Sequence, residues 1–276
     1  MGVLSLAEGG QSTQAISLAS LVEKKRLVAA VNEAMTIPRM AEVIALEGFS
    51  SIEERGEALD SRLRALRKNT TRLGSTLRAY SQLLGTHASM AALRRAMGSA
   101  ALDRTTLSSY HRVLEAGGII RDLPPYTPML TSPTPVLQAP CRQLTDPVIA
   151  CSVLAFSAND LLDDLATMDR LFTTLCVRDL RRYSQPLGAT LGSYRDKSGL
   201  TCDCVITDRR GRVALVAPAL GGSLIERAAA RLVKLAGKLD ESSLPDPAVL
   251  IVLTAERYAY TRSDGVHVVP LACLGW

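Results

Sequence analysis

The chain has 276 residues, of which 47% are hydrophobic, 21% charged and 4% aromatic, with a formal charge of +5. That length has room for about two domains with cores of their own, and so few aromatic residues argue against a base-stacking platform. Six cysteines without CxxC spacing point to reduced thiols in a cytoplasmic protein rather than a metal cluster or disulfide framework. No membrane span and no signal peptide are expected, since no apolar run approaches 18 residues and no charged-then-apolar leader opens the chain.

Residues 1–15 are small and polar and read as extended, loosely held chain. A helix is expected from Ser17, as N-cap, to Asn32, and a second from Pro38 to Leu46. Ile52–Arg67 is charged with helical spacing, Leu59, Leu63 and Leu66 forming its apolar side. Residues 70–85 place Leu73, Leu77, Tyr80 and Leu84 on one helical face, and Met90–Met97 is a short helix. Asp103 is the expected N-cap of a helix over Arg104–Ala116, which Gly117-Gly118 ends; Ile119–Leu123 reads as a strand. This order is that of a winged helix-turn-helix over residues 70–126, following a helical segment over 1–69.

In the third helix of that unit, Leu107, Tyr110 and Leu114 face the core, while Arg104, Ser108, His111, Arg112 and Glu115 line the opposite face. Charge concentrates in the same place. Residues 71–125 carry 7 Lys/Arg against 3 Asp/Glu, whereas 1–70 balance at 9 and 9 and 126–276 at 16 and 15. Arg104, Ser108, His111 and Arg112 are therefore the expected groove contacts, with Arg94 and Arg95 on the backbone.

A Pro-rich stretch, 127–140, reads as a linker. After it come a short helix from Leu144-Thr145-Asp146-Pro147 to Leu154 and a long one over Ala158–Tyr183, buried through Leu161, Leu165, Met168, Phe172 and Leu175. Ser193–Gly222 then reads as three strands (Ser193–Arg195, Leu200–Thr207, Arg212–Ala217) joined by Asp196-Lys197-Ser198-Gly199 and Asp208-Arg209-Arg210-Gly211 turns. Cys202 and Cys204 share one strand face as core fillers. A helix follows from about Leu224 to Leu239, with Arg227, Arg231, Lys234 and Lys238 as an outer basic row; Ala248–Leu253 reads as a buried central strand, and 258–270 as a closing hairpin.

From Met1 to Trp276 the chain resembles a bacterial family of unknown function in which an AAA-type ATPase module precedes a winged helix and a C-terminal domain similar to PD-(D/E)XK nucleases. The resemblance rests on Leu4-Ser5-Leu6-Ala7-Glu8-Gly9-Gly10, Leu144–Pro147, Val177-Arg178-Asp179-Leu180-Arg181 and Tyr194-Arg195-Asp196. It continues through Gly199-Leu200 with Asp203, and Asp264-Gly265-Val266 with Val269-Pro270-Leu271. It implies an α/β (α+β) protein, with a nuclease-like mixed sheet flanked by helices over 141–276.

Two departures set the expected function. The chain begins where the family's ATPase module ends, and it has no GxxxxGK[ST], so neither ATP nor any other cofactor is expected. Of the nuclease constellation only Asp203 remains: Thr173, Thr201, Ala217 and Ala219 stand where the family carries Glu, Glu, Glu and Lys. One aspartate cannot assemble a magnesium site, so no metal is expected. The expected protein is a non-enzymatic DNA-binding or regulatory relative acting on double-stranded DNA. The alternatives are an interaction module pairing with an ATPase relative or with itself, and a weak metal-dependent nuclease.

Overall fold

Capping side chains set the helix starts. Ser17, Ser51, Asn69, Ser89, Asp103 and Ser157 each accept the backbone N–H three residues on, and Asp146 accepts that of Val148, satisfying donors that a first turn leaves open. The computed structural model describes residues 4–24, 26–46, 48–127, 139–240 and 247–276. In chain order its elements are β1 (Ile16–Ser17), α1 (Leu18–Val22), α2 (Ile37–Leu46), α3 (Ile52–Ala65), α4 (Thr70–Ser81), α5 (Met90–Ala96) and α6 (Arg104–Ala116). Then follow α7 (Pro147–Leu154), α8 (Ala158–Asp163), α9 (Leu165–Tyr183), β2 (Thr190–Arg195), β3 (Thr201–Thr207), β4 (Val213–Ala219) and α10 (Ser223–Asp240). The last strands are β5 (Val249–Thr254), β6 (Tyr260–Thr261), β7 (His267–Pro270) and β8 (Leu274–Gly275).

The fold is α+β, with a helical region and a C-terminal mixed sheet flanked by helices. Two compact units divide it: a helical unit of residues 41–122 and 139–175, and a sheet unit of 1–40, 123–138 and 176–276. Of the expected linker at 127–140, residues 128–138 lie outside the described residues.

In the sheet unit, six strands lie in the order β2-β3-β4-β5-β7-β6. β2, β3 and β4 are antiparallel neighbours, β4, β5 and β7 are parallel, and β6 returns antiparallel to β7. The antiparallel strands need only the two Asp-Gly turns between them, whereas the parallel step from β4 to β5 needs a crossover, which α10 supplies. Ile225, Ala228, Leu232, Leu235 and Leu239 bury that helix against Leu215, Ala217, Val252 and Val268. β5 is buried between two parallel neighbours, as its unbroken apolar run predicts. The outer edge of β2 receives Pro124–Tyr126: Ser193 N–H donates to Pro124 O and Tyr126 N–H to Ser193 O. Gly192 suits this close approach, since a Cβ would lie 3.1 Å from Pro124 O and 3.3 Å from Tyr126 N.

Several expectations are corrected. Residues 4–10 are not loosely held: Ser5, Leu6 and Ala7 are buried, with Leu6 N–H on Asp179 Oδ2 (2.9 Å) and Ala7 N–H on Tyr183 OH (3.2 Å). The helix from Ser17 stops at Val22, where Lys24 turns left-handed (φ 58°), and Val31 instead forms an antiparallel bridge with Tyr258. The helix expected over 158–183 is broken at Asp164, which accepts Thr167 N–H and restarts it as α9; the break leaves Leu165 54% exposed rather than buried. Ile119–Leu123 forms no strand, only isolated bridge positions at Ile120 and Leu123; at the first, which pairs with Leu144, the Arg121 and Thr145 N–H groups find carbonyls across one step.

One buried cation in the helical unit has no counterpart in the sequence pattern. Arg55 is 1% exposed on α3. Its Nη1 donates to Ala45 O (2.5 Å) and Phe156 O (3.1 Å), and Nη2 to Cys151 O (3.0 Å). These carbonyls lie at and just past the C-terminal ends of α2 and α7, where a positive charge meets the negative end of the helix dipole. Burial lowers its pKa.

Candidate nucleic-acid interface

The helices from the end of α3 to α6 carry an unusual balance of charge. From Arg62 to Arg112 the sequence holds ten Lys/Arg residues and one acidic residue, Asp103. All ten cations (Arg62, Arg64, Arg67, Lys68, Arg72, Arg78, Arg94, Arg95, Arg104, Arg112) are exposed. Among the described residues, the one carboxylate paired with any of them is Asp60, 3.8 Å from Arg64. Four others tether to carbonyls without losing charge: Arg62 to Gly118 O, Arg78 to Val153 O, Arg94 to Leu102 O and Arg112 to Ser108 O.

α6 owes its direction to its two ends and its buried stripe. Asp103 accepts Thr106 N–H at 2.9 Å; Leu107, Tyr110 and Leu114 are buried. At the far end a Cβ on Gly117 would lie 2.5 Å from Leu66 Cδ2, so glycine permits the approach of α3. Arg104, Ser108 and Arg112, spaced by four, share one surface row. The Ser108 hydroxyl donates to Arg104 O (2.9 Å), and Arg112 Nε reaches Ser108 O (3.4 Å).

His111 departs from the expected row. Its side chain is 15% exposed and turns inward, Nε2 lying 3.2 Å from Arg142 Nη1 and 3.7 Å from Asp122 Oδ2. Arg142 Nη1 also donates to Asp122 Oδ2 (2.5 Å), Gln143 N–H to Oδ1 (3.1 Å), and Tyr80 OH to the same Oδ1. Burial would raise the Asp122 pKa, but His111, Tyr80, Arg142 and Gln143 N–H together hold it below the ordinary value. Burial and the Asp122 charge push the Tyr80 phenol well above its own. Every named group has a partner, so the cluster anchors the inner side of α6 rather than presenting a reactive group.

The nuclease-like positions are distributed differently. Asp203 on β3 is partly buried and paired with Arg231 Nη2 of α10 at 2.5 Å; Thr201 Oγ1 accepts from Nη1 at 3.3 Å. Ala217 and Ala219 are buried on β4 beneath α10. Thr173 lies in the helical unit, where its hydroxyl donates to Asp169 O (3.1 Å). Among the described residues no group of three or more His, Cys, Asp or Glu could hold a metal ion. Cys202 and Cys204 are buried thiols in no disulfide, and burial pushes Cys202 up to about 12.

Next to this pair is a second one that the sequence reading missed. Asp196, 1% exposed, accepts Lys238 Nζ (2.6 Å), Tyr194 OH (3.1 Å), Ser198 Oγ (2.6 Å) and the N–H groups of Ser198 and Leu200. Burial raises its pKa, and these donors more than offset that, holding it at about 2. Arg231 and Lys238 are therefore not an outer basic row, as the helical spacing suggested: both face carboxylates of the sheet. Of that row only Arg227 and Lys234 are exposed.

The sequence reading also missed Arg62, Arg64, Arg67, Lys68, Arg72 and Arg78 as members of one run of exposed cations. A charge count over 1–70 averages the acidic 42–60 stretch with the basic 62–68 stretch. The signal was the long interval from Ser61 to Leu114 with one carboxylate.

Residues 58–160 match the family model described as Domain of unknown function (DUF8612). The match falls mainly on the helical unit and spans the ten cations. No curated protein and no solved structure matches the chain. No helix among the described residues is long and apolar enough to cross a membrane.

Proposed function

We propose that this chain is a non-enzymatic DNA-binding or regulatory protein that holds double-stranded DNA on the basic surface of its helical unit. The observation that carries this reading is the run of ten exposed Lys/Arg from Arg62 to Arg112 beside a single acidic residue in the same interval. Charges that a fold leaves unmatched repel one another, and a polyphosphate relieves that repulsion by releasing its own counterions. The order helix, short helix, longer helix in α4, α5 and α6 supports a helix-turn-helix entry in which α6 meets the duplex. Arg94, Arg95, Arg104 and Arg112, all exposed, and the partly exposed Ser108 are the residues it would meet.

Fluorescence anisotropy of a labelled duplex over a salt series tests the reading. Binding should weaken steeply with salt, and Arg104→Ala/Arg112→Ala should lower affinity about tenfold and flatten the salt slope by about two. An unchanged affinity and slope would remove α6 from the interface.

In the sheet unit, three antiparallel strands, a crossover helix and a parallel strand support the nuclease-like kinship. The Asp203–Arg231 pair and the alanines at 217 and 219 support a role without cleavage. Plasmid nicking in Mg²⁺ or Mn²⁺ that disappears in Asp203→Asn would restore the enzyme reading. A second reading, an interaction module pairing with itself or an ATPase relative, is favoured by exposed Val28, Val31, Tyr258 and Tyr260 around the Val31–Tyr258 bridge. A chain that sediments as a monomer across a concentration series, with no ATPase relative co-purifying, would set it aside.

A further inference from the structure

Building on the DNA-binding reading above, we infer that α6 straddles the major groove of B-form DNA as a phosphate clamp, without reading base sequence. Arg104 and Arg112 are eight residues apart on one row, about 12 Å along the axis at about 1.5 Å per residue. The B-form major groove is about 12 Å wide, so a helix lying across it brings one guanidinium to each phosphate wall. Arg94, tied through Nε to Leu102 O, reinforces the Arg104 end.

The side chains between the two arginines carry no base code. α6 has no Asn or Gln. His111, the one imidazole on it, is committed to Arg142 and Asp122, and the Ser108 hydroxyl to Arg104 O. Thr105, Thr106 and Ser109 remain, and a hydroxyl accepts or donates to any base edge. Stacking is closed off as well. Tyr80, Tyr110 and Phe172 are buried and Phe49 and Phe156 partly so, which leaves no exposed aromatic residue among the described residues of the helical unit. An A-form RNA duplex, with its deep and narrow major groove, excludes a helix carrying such a clamp.

The test uses the full chain and four labelled probes at one low salt concentration: a DNA duplex, a scrambled duplex of equal composition, the RNA duplex of the same sequence, and one DNA strand. The two DNA duplexes should bind within about twofold of each other, and the RNA duplex and the single strand about tenfold more weakly. Arg104→Ala and Arg112→Ala should each remove about one from the salt slope, additively, with an unchanged melting curve. A tenfold loss on scrambling, or RNA or single strand binding as tightly as duplex DNA, overturns the clamp while leaving nucleic-acid binding in place. So does a salt slope untouched by Arg112→Ala. Failure of all four probes to bind removes the DNA-binding reading itself.

Discussion

The two units use the same residue types in opposite ways. In the sheet unit, cations meet carboxylates: Arg231 with Asp203, Lys238 with Asp196, Arg212 with Asp208, Arg178 with Asp179, and Arg262 with Glu226 and Asp264. In the helical unit, ten exposed cations from Arg62 to Arg112 share one carboxylate partner at the surface. Where the fold matches a charge, it uses it to hold elements together. Where it leaves a charge unmatched at the surface, water and counterions match it, and a polyanion can take their place. Total charge conceals this, because residues 126–276 are nearly neutral and still contain most of the ion pairs.

The most severe way to break the contrast is to unmatch a cation in the sheet unit. Asp196→Ala would strand Lys238 and the buried Tyr194 hydroxyl and open the 196–199 turn, at a cost of about 3 kcal/mol in urea unfolding. The comparison residue is Asp208, which heads a turn of the same Asp-x-x-Gly form and also accepts N–H groups two and four residues on. Its cation, Arg212, is four residues away in sequence rather than on a distant helix. Asp208→Ala should therefore cost about half as much or less. Equal losses would mean that the turns, not the link to α10, carry the stability.

That pair of turns also marks how far the sequence could be read. The turns, the strands they join, the caps at Ser17 and Asp103 and the buried stripe of α10 are local patterns, and all were legible. The partners of Asp196 and Asp203 were not, because helical spacing gives a row of basic residues on α10 without saying which way the sheet lies. The failed expectations have the same origin. Ile119–Leu123 has strand composition but finds only isolated bridges, and Ser17–Asn32 has helical spacing, but Val31 pairs with Tyr258, more than two hundred residues on. Of the α6 row, Arg104, Ser108 and Arg112 follow from their spacing. The inward turn of His111 depends on Arg142 and Asp122, which no local pattern connects to it.

Acid offers a gentler way to unmatch the same cation. Asp196 titrates at about 2 in the fold against an ordinary 3.8. Its folded pKa is the lower one, so the folded state binds the proton less readily than the unfolded chain. The carboxylate then contributes about 2 kcal/mol at neutral pH. That contribution should begin to fade as the pH falls through about 4, be largely lost by about 2 and be gone below it. Asp122 and Asp208 are shifted the same way, so the informative quantity is the stability difference between wild type and Asp196→Asn. It should shrink steadily between pH 5 and about pH 2; a difference constant over that range would mean that Lys238 does not depend on the charge.

The smallest effect is expected where the surface cations are removed. Arg104 and Arg112 touch no carboxylate among the described residues, and alanine is the better helix former, so nothing in the unit should resist their loss. The double alanine variant should melt within about 2 °C of wild type while losing the salt-sensitive part of its DNA affinity. A protein that unfolds earlier without these arginines would be using them as the sheet unit uses Arg231 and Lys238. A protein that melts unchanged and still binds DNA with the same salt slope would have its contact surface on the remaining cations of α3, α4 and α5. Only stability kept and binding lost together identify charge that the fold does without and the ligand requires.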